Sequence, residues 1–398
     1  MNSFTYHSTT KMIFGKGKES EVGKETALCG AHKALLMYGG QSAVKSGLLG
    51  KVETSLDEQG ISYVEFGGIV PNPRLGKVRE AIAVGNAEKI DFILAIGGGS
   101  VIDSAKAAAA GIANPDMDIW EDIYEPRAPI PACVKIGCIP TIAAAGSETS
   151  QFAVLTNEET RIKKGYGNQL IRPQFCILDP ELTYSLPPYQ TAAGVVDIMM
   201  HTMDKYITKS QYNEMSDALS EQLLRVVIRN GRKAMEDPHD YNARSEIMWA
   251  GVLSQNDILG LGAAKDSASH QIEHELSGMF DVTHGAGLAA IWGSLAHYIY
   301  KDDILKFCQY AVNVWDCKMD YTNPENTALE GIERTLEFFH SIGMPTNLRE
   351  LGIHDLTDAQ IEEMADKCMH FGKRTIGALK VLYKDDVIKI YNMAKGAE

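Results

Sequence analysis

The chain has 398 residues, 45% hydrophobic and 23% charged, an ordinary composition for a globular protein and enough length for two cores. Its 52 Asp and Glu outnumber 38 Lys and Arg, and the net charge of −14 disfavours nucleic acid and anionic membrane surfaces as partners. The start "MNSFTYHSTT" lacks a signal-peptide pattern, no run approaches ~20 apolar residues, and seven scattered cysteines without CxxC spacing suit free thiols in a reducing cytoplasm.

In chain order, "KALLMYGG", "ISYVEFGGIVPNP", "DFILAIGGGS", "CVKIGCIPTIAAAGSE" and "QFCILDP" read as buried strands that stop at glycine, proline or aspartate. Between them, stretches such as "RLGKVREAIAVGNAEK" carry the apolar spacing of amphipathic helices. This alternation predicts a parallel sheet with helices on both faces, an α/β domain over residues 1–186. At "SLPPYQTAAG" the pattern changes. Pro187 and Pro188 suit a linker entering the first turn of a helix. Beyond them "NEMSDALSEQLLRVVIRNGRKAMEDP", "NPENTALEGIERTLEFFHSIGMP" and "DAQIEEMADKCMHFGK" read as helices, so residues 187–398 form an all-α domain.

Two features carry chemistry. "DFILAIGGGSVIDSAKAAAAGIA" is a strand, a glycine turn and a helix, in which backbone N–H groups of Gly97, Gly98 and Gly99 could approach a diphosphate. It is not the GxGxxG fingerprint, and a plain tight turn fits equally well. "MYGGQS" sits at another such strand end. In the second half, Asp197 and His201 lie four residues apart on one helix, His270 and His274 repeat that spacing on another, and His284 follows in the turn "DVTHGAG". One histidine on an apolar face is usually a hydrogen-bonded core residue. Three of the eleven within fifteen residues, beside an Asp-x-x-x-His helix, favour a divalent transition metal: Zn²⁺, Fe²⁺ or Mn²⁺ rather than Ca²⁺ or Mg²⁺. "HQIEH" also matches the H-x-x-E-H pattern of inverzincin peptidases, in which His270 and His274 would bind zinc and Glu273 would activate water. A third reading is a non-catalytic nucleotide- or metal-binding protein.

Taken together, "FGKGK", "YGG", "VPNP", "GGGSVIDSAK", "AGSETS", "LDPELTYSLPPYQTAAGVVDIMMHT" and "HELSGMFDVTHGAGLA" make the chain resemble the iron-containing (group III) alcohol dehydrogenases, in the butanol dehydrogenase-like branch. The resemblance implies a dehydroquinate synthase-like architecture: a Rossmann-like dinucleotide-binding domain with a parallel sheet, then an all-helical metal-binding domain. It implies metal ligands Asp197, His201, His270 and His284, holding Fe²⁺ or Zn²⁺, with His274 as an unligated proton relay. It places the pyrophosphate loop on Gly97, Gly98, Gly99 and Ser100, with Asp103 in the same segment. Further coenzyme contacts fall on Asn72, Thr141, Ser147, Thr149 and Lys163. Ala145 stands where the family more usually has threonine, so a hydroxyl contact is lost there.

For the adenosine ribose, the generic rule of an acidic residue ~20 positions after the glycines would pick Asp116 or Asp118. The resemblance instead points to the end of the earlier strand, where NAD-specific members carry an aspartate. Here stand Gly39, Gly40, Gln41 and Ser42, with Lys45 just beyond. Without a carboxylate and with a cation, that segment favours NADP(H) over NAD(H). The expected activity is hydride transfer between NADP(H) and a primary alcohol or aldehyde such as butanol or butanal. A homodimer is expected by the same resemblance, and the cysteine usage places it in the cytoplasm.

Overall fold

The computed structural model describes residues 1–209, 212–264 and 266–396. They form two compact units, residues 7–186 and residues 187–398 together with 1–6. The first six residues thus pack with the helical unit, whereas the sequence division puts them in the α/β domain. The Asn2 N–H donates to the Gly262 carbonyl at 2.8 Å.

The α/β unit contains strands β1 (Lys11–Phe14), β2 (Lys33–Tyr38), β3 (Ser62–Phe66), β4 (Phe92–Gly97), β5 (Lys135–Pro140), β6 (Phe152–Asn157), β7 (Ile162–Gly167) and β8 (Phe175–Leu178). Six of them form one parallel sheet in the order β1-β8-β5-β4-β2-β3. The strands β6 and β7 pair as a separate antiparallel hairpin. Its helices are α1 (Val22–Leu28), α2 (Ser42–Lys45), α3 (Leu48–Asp57), α4 (Leu75–Ala87) and α5 (Gly99–Ala113).

Because strand side chains alternate, Leu36, Leu94, Ile96, Ile139 and Ile177 join Val22, Leu49, Val52 and Leu56 in one apolar layer. The alternate set, including Leu35, Ile93, Ala95 and Cys138, is equally buried, which is why these strands read as unbroken apolar runs. The helices α4 and α5 approach closely at two glycines: a Cβ on Gly85 would meet Ile112 at 2.2 Å, and one on Gly111 would meet Ile82 at 2.3 Å.

The helical unit comprises α6 (Pro188–Tyr206), α7 (Glu214–Glu236), α8 (Tyr241–Gln255), α9 (Ala268–Phe280), α10 (His284–Ile299), α11 (Ile304–Trp315), α12 (Pro324–Ser341), α13 (Asp358–Cys368) and α14 (Lys384–Ala394). Pro188 occupies the first position of α6, where its missing N–H has no intrahelical partner to lose. The helix α6 is buried along most of its length, with Ala192, Val195, Val196, Ile198, Met199 and Met200 fully buried, and so it runs through the core. The methionines near its histidine are core filler. Ile272 and Leu276 of α9 and Ala290 and Ile291 of α10 share a second core with Met364, Val387 and Tyr391.

Candidate active site

Helix periodicity gathers the site in the helical unit. On α6, Asp197, His201 and Asp204 lie at i, i+4 and i+7, one stripe of the helix. On α9, His270, Glu273, His274 and Ser277 form a second stripe. His284 is not in a turn, as the glycines around it suggest, but is the first residue of α10. The glycine after it has a packing reason: a Cβ on Gly285 would lie 2.0 Å from the Ala193 carbonyl oxygen. This lets α10 begin directly against α6, one turn ahead of Asp197.

Three imidazoles converge on one carboxylate oxygen. Asp197 Oδ1 lies 3.3 Å from His201 Nε2, 3.7 Å from His270 Nε2 and 3.8 Å from His284 Nε2. The His201 and His270 rings stack at 4.0 Å. Asp197 Oδ1 and His270 Nε2 are buried and have no hydrogen-bond partner. Each such atom costs about 1–3 kcal/mol if nothing meets it. An ion at their meeting point would satisfy both, and the nitrogen and carboxylate donors suit Fe²⁺ or Zn²⁺.

The charges around the cluster pull in opposite directions. Burial, then the neighbouring His270, Lys205, His284 and His274, push His201 well below its ordinary pKa. At His270 burial also acts downward, but Asp197 and Asp204 outweigh it and hold the group up at about 9.

The far nitrogens of two rings are held by carboxylates. Asp204 Oδ2 lies 2.7 Å from His270 Nδ1, and Asp204 Oδ1 accepts from the Ser269 hydroxyl at 2.6 Å. Glu273 accepts from His284 Nδ1 with one oxygen and from the Ser277 hydroxyl with the other. Sequence reasoning missed both holding roles. Position i+7 after Asp197 was the available signal for Asp204, whereas the motif "HQIEH" pointed Glu273 at the wrong task. Glu273 is fully buried with both oxygens engaged, so the peptidase reading, which needs it facing a water, is not favoured. Glu273, His274 and His284 also lie close enough to hold an ion, but the orphaned atoms belong to the trio Asp197, His201 and His270. His274 stands one turn beyond His270, its ring 5.7 Å from that of His284.

In the α/β unit, β2, β4 and β5 are neighbours in register, Tyr38 beside Ile96 and Gly97 beside Pro140. Their carboxyl ends therefore bring Gly39, Gly40, Gly97, Gly98, Gly99, Ser100 and Thr141 side by side, where ligands of such sheets bind. The glycines differ in purpose. A Cβ on Gly97 would meet Val101 at 2.6 Å and one on Gly98 would meet Ile142 at 2.6 Å, whereas Gly99 and Gly40 face open space. Ser42 and Lys45 are exposed on α2.

Other expected contacts are engaged within the protein. Lys163 Nζ donates to Asn72 Oδ1 at 3.1 Å, both residues buried. Asp103 accepts from the Ser147 hydroxyl at 2.6 Å and the Val154 N–H at 2.9 Å. Thr149 is almost fully buried, its carbonyl accepting from Arg172. Asp118 caps the helical turn at 119–124 and pairs with Arg79 at 2.9 Å. A residue not foreseen, Lys106, is fully buried and donates to the Ser147, Ser150 and Phe152 carbonyls and the Ser147 hydroxyl at 2.6–2.9 Å. A lone cation in "SAKAAAAG" was the signal for it.

A profile described as iron-containing alcohol dehydrogenase matches residues 9–180, and one described as Fe-containing alcohol dehydrogenase family, C-terminal, matches residues 191–395. The NADH-dependent butanol dehydrogenase A of Clostridium acetobutylicum is 40% identical over 98% of this chain and 99% of its own. The NADPH-dependent aldehyde reductase of Escherichia coli is 33% identical over 99% and 100% respectively. The solved NADH-dependent butanol dehydrogenase A of Thermotoga maritima superposes with a TM-score of 0.94 at 34% identity, covering 100% of this chain and 99% of that one. Matched along its whole length at this level, the chain belongs to the iron-containing alcohol dehydrogenase family and is an NAD(P)-dependent oxidoreductase of alcohols or aldehydes.

Proposed function

We propose that the chain interconverts primary alcohols and aldehydes, with butanol and butanal as trial substrates, using NADP(H) in preference to NAD(H). Asp197, His201, His270 and His284 hold one divalent ion, Fe²⁺ or Zn²⁺. The observation that carries this is the approach of three Nε2 atoms to Asp197 Oδ1, two of the four atoms lacking any other partner. When bound, the ion supplies a Lewis acid for the substrate oxygen and the nicotinamide supplies the hydride chemistry. His274 moves the alcohol proton at a ring nitrogen, and the open backbone at Gly99 admits the coenzyme diphosphate.

The coenzyme preference rests on the end of β2. Gly39, Gly40, Gln41 and Ser42 bring no carboxylate, and Lys45 brings a cation. Glu65 on the neighbouring strand already accepts from the Tyr38 hydroxyl at 2.8 Å. The Clostridium relative is named for NADH and the Escherichia coli one for NADPH, so names alone leave the choice open. Kinetics decide it: kcat/KM should be higher with NADPH by about tenfold or more. Equal efficiency with both coenzymes overturns the preference. The function as a whole is tested by elemental analysis alongside NADPH oxidation with a graded aldehyde series. Protein that binds no divalent metal, or turns over no aldehyde once loaded, refutes it.

We place the reaction in the cytoplasm, consistent with seven unpaired thiols, and in a homodimer. The strand β1 lies at the sheet edge and exposes Met12 and Phe14, a surface suited to a second copy. Light scattering at the mass of one chain would refute the dimer. Among the described residues no helix is long and apolar enough to cross a membrane.

A further inference from the structure

We infer that Glu273 is a positioning residue: it fixes the tautomer and ring orientation of His284 so that Nε2 is presented toward Asp197. The inference rests on the metal-site reading above and assigns a task to a residue that neither binds the ion nor touches substrate.

A carboxylate only accepts hydrogen bonds, so its contact with His284 Nδ1 places the ring hydrogen on Nδ1 and leaves a lone pair on Nε2. Glu273 cannot drift, because Ser277, one turn further along α9, donates to its other oxygen. The side chain is fully buried, so no solvent competes for either oxygen. A negative charge behind the ring also raises the basicity of the nitrogen in front of it.

The helix α10 is built to admit this carboxylate. Gly287 lies three residues after His284, on the same face, and a Cβ there would stand 2.8 Å from Glu273 Oε1 and 3.0 Å from its Cγ. Gly287 does not have the positive φ that demands glycine, so alanine suits its backbone and only the carboxylate is in the way. In "THGAG" the first glycine serves the contact with α6 and the second makes room for Glu273.

The test measures metal affinity rather than turnover. Wild type, Glu273→Ala, Glu273→Gln and Gly287→Ala are stripped of metal, and Zn²⁺ affinity is measured by chelator competition. The visible spectrum of the Co²⁺-loaded proteins reports ligand geometry. Glu273→Ala should weaken Zn²⁺ binding on the order of 10–100-fold and alter the Co²⁺ bands. Glu273→Gln, whose amide oxygen still accepts from Nδ1, should recover part of that loss. Gly287→Ala should shift in the same direction as Glu273→Ala, because the added methyl overlaps Glu273 and pushes its carboxylate out of the place where Ser277 holds it. Wild-type affinity and spectrum in folded Glu273→Ala would overturn the inference while leaving the metal site standing. If that variant does not fold, wild-type behaviour in Gly287→Ala overturns it instead. Wild-type protein that binds neither ion refutes the metal reading itself, a separate result.

Discussion

In the helical unit three imidazoles stand 3.3–3.8 Å from one carboxylate oxygen, whereas in the α/β unit Gly40 and Gly99, just after β2 and β4, leave open space where a Cβ would stand. The first site is made of side chains and is sensitive to their chemical type. The second, the proposed coenzyme loop, is made of backbone and is sensitive to added volume. Both are held rigid from behind: the first by Asp204 and Glu273, the second by Val101 and Ile142 pressed against Gly97 and Gly98. Damage to one site should therefore leave the other intact.

The largest effect should come from His270→Ala, which removes a proposed ligand and one partner of Asp204. Loss of the ion removes several kcal/mol of transition-state stabilisation, so turnover should fall by about 10³-fold or more. NADPH binding, followed by fluorescence titration, should persist. Metal retained by this variant would break the ligand assignment.

Next comes Lys106→Met, which should destabilise the α/β unit by about 3 kcal/mol, since Asp103 and three carbonyls lose a buried cation. Burial pushes the Lys106 ammonium down to about 8 in spite of Asp103. Below pH 8 folded and unfolded chains both carry that proton; above it, up to the ordinary lysine value, only the unfolded chain does. Wild-type stability from this group should rise with pH across that window, and denaturant melts of the methionine variant should lack that rise.

His274→Ala should slow kcat by about 10²-fold with metal content unchanged. If it instead empties the site, His274 is a ligand and the assignment of His284 fails. The smallest effects separate neighbouring glycines. Gly98→Ala should lower stability by about 1–3 kcal/mol through overlap with Ile142. Gly99→Ala should melt like wild type yet raise the coenzyme KM by about tenfold. Equal melts for both variants would mean that the packing distinction between them is false.

Much of this was legible in the sequence for physical reasons. Strands buried on both faces must be apolar throughout, so β2, β4, β5 and β8 stand out, and Asp197, His201, His270 and His274 show helical spacing directly. The strand β1 was hidden because it is a four-residue edge strand, mostly exposed. The hairpin of β6 and β7 was hidden because Lys163 and Lys164 interrupt its pattern, although both are buried against partners at Asn72 and Glu125. His284 looked like a turn residue because glycines adopted for close helix packing resemble glycines adopted for chain reversal. The holding roles of Asp204 and Glu273 depend on contacts 66 and 11 residues along the chain, and only the i+7 spacing after Asp197 hints at the first.

The space left at Gly287 carries an evolutionary consequence. A chain with a shorter residue at 273 no longer needs the vacancy, and one with alanine at 287 no longer has room for glutamate. These two positions, fourteen apart in sequence and on different helices, should be inherited as a pair. Drift at one would first be tolerated only in lineages that had already changed the other.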